Sequence, residues 1–159
     1  MIKGMKTTTV VIGLAILMVA GLAIAGTEFK DVIQMENEDA YEKHTKSIAT
    51  FTHKKHVEEH DVGCGECHHD EDGKPLTDLK KGDDVQECVE CHKPGRPDRA
   101  SLRGLSREER EAAELEYHYG AIHQNCQGCH EEYNKEKAGN PRKGPAPVSC
   151  NDCHPREPR

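Results

Sequence analysis

Every cysteine in this chain belongs to one repeated pattern, and that pattern constrains the fold more than any other feature. The eight fall into four groups: Cys64-Gly-Glu-Cys67-His68, Cys88-Val-Glu-Cys91-His92, Cys126-Gln-Gly-Cys129-His130 and Cys150-Asn-Asp-Cys153-His154. Two thiols at this spacing can reach both vinyl groups of one porphyrin and form thioethers. The next residue then projects its imidazole onto the iron as the proximal ligand. A lone C-x-x-C also suits a redox dithiol or half a zinc site. Pairing the motifs into four-cysteine zinc sites leaves four matching histidines unexplained, and disulfides account for neither the spacing nor the histidines. The pattern predicts four covalently bound haems c.

Composition points the same way. The chain has 159 residues, no Trp, two Phe and 34% hydrophobic residues, and much of that apolar content lies in the first 25 positions. The remainder is too polar for an ordinary side-chain core. Small domains short of core add metal sites or other cross-links, and here the filler is expected to be porphyrin.

The N-terminus reads as an export signal. Lys3 and Lys6 precede an uncharged, mostly apolar run from Val10 to Ala25, and Ala23-Ile24-Ala25 has the form of a cleavage site. We expect residues 1–25 to be a signal peptide and residues 26–159 a periplasmic tetrahaem domain; an uncleaved signal would instead anchor it to the membrane. The formal charge is −7, and without the two lysines of the signal it becomes −9. That balance excludes nucleic acid as a partner and steers the chain toward a basic docking patch.

Electron transfer or catalysis depends on what fills the second axial position of each iron. Seven histidines lie outside the motifs: His44, His53, His56, His60, His69, His118 and His123. Met35 is the only methionine after the signal, and no lysine replaces a motif histidine. Bis-histidine ligation is the economical reading. It favours low potentials, because methionine ligation is what raises them.

Phe51-Thr-His53-Lys-Lys-His56, followed by Cys64-x-x-Cys67-His68-His69, resembles the class III c-type cytochromes, the cytochrome c3 family. The resemblance covers roughly Asp31 to His154. It implies the axial pairs His68 with His53, His92 with His69, His130 with His56, and His154 with His123. His118 lies close to His123 and offers an alternative, although Ala-x-His-x-x-Cys resembles the element before the third motif in related multihaem proteins. His44, His60 and His118 otherwise read as solvated surface histidines. Two features depart from the basic members of the family. Those members have a longer cysteine spacing in their second and fourth motifs, and they dock hydrogenase through a lysine-rich face. This chain looks more like the acidic, membrane-complex-associated type II branch.

The expected fold is a small haem-cored domain of short helices and irregular loops with a minor β-hairpin. Asp31–Met35 and Ser47–Phe51 are partly β-branched runs suited to that hairpin. A helical turn around Lys54–His60 would set His53 and His56 on one face. Lys93-Pro-Gly-Arg-Pro-Asp is a turn-rich break, and Ser106-Arg-Glu-Glu109 is a capping box opening a helix over Arg107–Tyr119, with Gly120 as its stop. Ala112, Leu115 and Tyr119 would lie against a haem edge. The function expected is a periplasmic electron shuttle between a dehydrogenase or cytochrome and a membrane redox complex in anaerobic respiration. The competing readings are a subunit of an extracellular multihaem conduit or filament, and an enzyme such as a metal-ion reductase, which needs an open iron position.

Overall fold

The computed structural model describes residues 28–156, so the signal assigned to residues 1–25 lies outside the described residues. Two short strands, β1 (Ile33–Gln34) and β2 (Thr50–Phe51), pair antiparallel with Ile33 opposite Phe51 and Gln34 opposite Thr50. The expected hairpin therefore forms, in its shortest version. Its purpose is visible in Phe51, whose ring lies 5.5 Å from that of His53 and 4.7 Å from that of His56. Both histidines stand on α1 (His53–Glu58), three residues apart and hence on one face.

Each cysteine motif forms one helical turn. The first is the 3-10 turn Cys64–Glu66, the second α2 (Cys88–Cys91) and the fourth α5 (Cys150–Cys153). In all three, the amide of the motif histidine donates to the carbonyl of the first cysteine, at 2.8–2.9 Å. That closure sets both thiols and the imidazole in a fixed relation. The third motif is embedded in a long helix.

The longer helices depart from expectation at one point. The capping box forms as read, with Ser106 accepting from the Glu109 amide and Glu109 accepting from the Ser106 amide. It opens α3, which ends at Leu115 (Arg107–Leu115). The chain then turns through Glu116 and Tyr117 into α4 (His118–Ala138), 21 residues long. Gly120 does not stop a helix; it lies in the first turn of α4. A Cβ there would overlap the carbonyl of Glu114 and come within 2.9 Å of the Leu115 nitrogen. Gly120 thus permits the close elbow between α3 and α4. The opening amides of α4 are satisfied by the turn-rich loop after the second motif: His118 donates to the Lys93 carbonyl at 2.8 Å and Tyr119 to that of Gly95 at 3.0 Å. At the far end Gly139 adopts φ 68° and caps the helix in the left-handed conformation.

Side chains alone supply almost no core. Among the described residues the buried apolar side chains are Ala40, Pro97 and Ala121. A chain with so little apolar burial has small means to offset its conformational entropy. Among the described residues, no helix is long and apolar enough to cross a membrane.

Candidate haem-binding site

The four motif histidines and the four distal candidates meet in pairs. Ring centroids lie 6.5 Å apart for His53 and His68, 6.0 Å for His69 and His92, 6.1 Å for His56 and His130, and 6.3 Å for His123 and His154. A metal–imidazole bond is about 2 Å long, so two imidazoles on opposite sides of one ion have centroids roughly 6 Å apart. The spacing fits a single iron between each pair.

Hydrogen bonding prepares the same rings for a metal. Seven of the eight turn Nδ1 toward a backbone carbonyl: His53 to Lys30, His56 to Thr52, His69 to Asp70, His92 to Leu115, His123 to Tyr119, His130 to Pro147 and His154 to Ser47, at 2.6–3.2 Å. Facing a carbonyl, Nδ1 must carry the proton. The neutral ring then presents the lone pair of Nε2, the orientation a metal-ligating histidine needs. Burial, aided by the neighbouring His53 and His69, holds the pKa of His68 below the usual histidine value and favours its neutral form as well.

The remaining histidines are engaged elsewhere. His118 is buried, not solvated: its Nδ1 lies 3.1 Å from the Tyr41 hydroxyl, and burial lowers its pKa. No ring contact joins His118 to a motif histidine among the described residues; its ring neighbour is Tyr41, at 5.5 Å. His44 accepts from the Asn37 amide at 3.4 Å, and exposed His60 lies edge-on to His56 at 5.9 Å.

The thiols whose acidity is perturbed are shifted away from reactivity. None is in a disulfide. Solvent reaches Cys126, yet crowding protein atoms push its thiol up to about 11, with Cys67, Cys153 and Cys88 near enough to add to the shift. Burial also raises Cys67, Cys88 and Cys153. A catalytic dithiol requires the opposite shift. Among the described residues, no three of His, Cys, Asp and Glu converge in a group that could hold a metal ion.

Two supports complete the site, and the first of them was invisible in the sequence. Asn134, with no exposed surface, pins the loop after α4: its amide donates to the Ala146 carbonyl and its oxygen accepts from the Ala146 amide, both at 2.9 Å. Pro147, next in the chain, supplies the carbonyl that orients His130. Asn134 stands four residues after His130 on the same helix face, which is the one sequence signal that was available. Asn134→Ala leaves two Ala146 groups unpaired and is expected to cost about 2–4 kcal/mol, read as a lowered denaturant midpoint. The second support is α3, where Ala112 and Leu115 border a cavity of about 340 Å³ with Cys91 and His92, and the Leu115 carbonyl orients the His92 ring. Tyr119 instead lies against His123, with ring centroids 4.3 Å apart.

Comparison with known proteins supplies the family. Over 110 residues, 69% of its length, the chain is 34% identical to a high-molecular-weight cytochrome c of Nitratidesulfovibrio vulgaris, and it spans only 14% of that protein. The family model described as Class III cytochrome C family matches residues 29–154, an extent that takes in all four motifs and all four ring pairs. The chain belongs to the class III cytochrome c family, electron-transfer proteins whose iron is carried in covalently attached haem c.

Proposed function

We propose that this chain carries four bis-histidine haems c and serves as a low-potential periplasmic electron shuttle. The observation that carries the reading is the set of four ring pairs at 6.0–6.5 Å, each joining one motif histidine to one distal histidine. Cys64 and Cys67, Cys88 and Cys91, Cys126 and Cys129, and Cys150 and Cys153 would form the thioethers. The bound haems supply one-electron chemistry, with two imidazoles per iron keeping the potential low.

The protein's own part is to close and connect the sites. With His53, His69, His56 and His123 on the distal sides, no position is left for a substrate, which favours a carrier over a metal-ion reductase. Short chain segments also link the pairs in series. His68 and His69 are adjacent, His53 and His56 share α1, and His123 and His130 lie two turns apart on α4, about 10 Å along its axis. The order of linkage along the chain is thus second pair, first, third, fourth. Electrons entering at either end can move through the whole set, and such close charged centres titrate together.

The acidic balance of −7 supports docking to basic partners and the type II branch, with a dehydrogenase or cytochrome as donor and a membrane redox complex as acceptor. One observation favours a second reading. The similarity to a 14% stretch of a far larger cytochrome suits a unit of an extracellular multihaem conduit or filament.

A redox titration of the purified protein, followed by haem absorbance and spin state and joined to an intact mass, tests the proposal. Four haems, all low-spin and at low potential, are expected. Fewer haems or a high-spin fraction in the native protein would overturn it. Size-exclusion chromatography separates shuttle from conduit, as monomer against filament.

A further inference from the structure

Two of the distal histidines lie against an aromatic ring that itself carries a cation over its face. At the first pair, Phe29 lies tilted against His53 with centroids 4.4 Å apart, and Lys81 Nζ lies 4.4 Å from the Phe29 centroid. At the fourth pair, Tyr119 lies tilted against His123 at 4.3 Å, and the Arg96 guanidinium carbon lies 4.1 Å from the Tyr119 centroid. The two differ in one respect. Lys81 forms an ion pair with Glu58, so its charge is largely offset. Arg96 has no carboxylate within ion-pair distance among the described residues.

The Arg96 stack is also built into the backbone. Gly95, with φ 74°, accepts the Tyr119 amide at 3.0 Å, and Pro97 on the other side of Arg96 is buried. Arg96 is therefore held at the ring by its neighbours, with its own side chain exposed. The Tyr119 carbonyl orients His123 through Nδ1 at 2.7 Å, so one residue both packs its ring on the distal ligand and fixes that ligand's rotation.

We infer that Arg96, acting through the Tyr119 ring, is a positioning residue that raises the reduction potential of the iron held by His123 and His154. The inference rests on the assignment of those two histidines to one iron. Reduction lowers the positive charge at the iron, so a fixed positive charge nearby favours the reduced state. A guanidinium stays charged at all physiological pH and is weakly hydrated, which suits it to a stacked position. A unit charge about 10 Å away at an effective dielectric near 20 would shift the equilibrium roughly tenfold. Solvent access to Arg96 reduces that to between about three- and tenfold. The offset Lys81 should do far less at the first pair, so the two stacked sites are set apart by charge and not by geometry.

The experiment uses the complete haem-loaded protein with Arg96→Gln and Arg96→Lys, titrated while NMR follows the haem methyl signals, the fourth site being marked by its response to His123→Met. Arg96→Gln should lower the potential of that haem alone. The shift is a three- to tenfold change in equilibrium, on the order of 30–60 mV, since a tenfold change is about 59 mV for one electron. Arg96→Lys should keep most of the wild-type value, and the difference should shrink at high salt. Four low-spin haems with no potential moved, or equal shifts in both variants, would overturn the inference while leaving the ligand assignment intact. If His123→Met alters no haem signal, the ligand assignment itself fails, and the inference with it.

Discussion

Replacing His123 by alanine is expected to turn one haem in four high-spin and let that haem alone bind carbon monoxide when reduced. His123 faces His154 at 6.3 Å with Nδ1 committed to the Tyr119 carbonyl, so its other nitrogen is the free one. His118 is the sequence's alternative, and its replacement by alanine should leave all four spin states unchanged. The His118 ring is buried against Tyr41, and its loss removes a hydrogen bond and opens a small void. The expected cost is about 1–3 kcal/mol of stability. Absorption spectra of the oxidised variants and carbon monoxide difference spectra of the reduced ones separate the two outcomes. If His118→Ala opens an iron and His123→Ala does not, the assignments exchange.

What could be read in the sequence was whatever depends on residue identity at short range. Each C-x-x-C-H motif sets two thiols and an imidazole on one helical turn, as its spacing dictates. The α3 capping box is equally local, because Ser106 and Glu109 satisfy each other's backbone within four residues. The small hairpin was visible as two β-branched runs, though only two residues of each pair. The choice of distal partners was of another kind. Nothing local in His53 or His69 says which motif it faces across the fold, and the pairing came from resemblance to a family.

The rest of the site is made of groups that every residue possesses. Seven imidazoles are oriented by main-chain carbonyls, among them those of Lys30, Leu115 and Ser47. A carbonyl carries no signature in the sequence, so the outer shell appears only once the backbone is placed. Asn134 and Arg96 were hidden for a related reason. Each acts on a loop or ring that reaches it through tertiary contact, and a polar residue in a polar chain does not stand out.

Gly120 shows where local reasoning reversed the meaning of a residue. Read alone, glycine after an amphipathic helix marks its end. In the fold the helix ends five residues earlier, and Gly120 is the surface against which that end packs. Gly120→Ala is expected to be the most damaging single methyl in the described chain. The added Cβ would overlap the Glu114 carbonyl, and the atoms it meets are backbone, which cannot rotate away. The usual gain in helix propensity from glycine to alanine is about 1 kcal/mol, far too small to offset a forced opening of the elbow. We expect a net loss of roughly 3 kcal/mol or more, seen as a lowered denaturant midpoint. Stability is only half of the consequence. The elbow lies between the Leu115 carbonyl that orients His92 and the Tyr119 carbonyl that orients His123. Opening it should disturb the second and fourth pairs together while sparing the His53–His68 and His56–His130 pairs. Haem methyl shifts that move at two sites and not at four would locate the damage there. An alanine variant as stable as the native chain would mean that α3 and α4 do not meet as closely as this structure sets them.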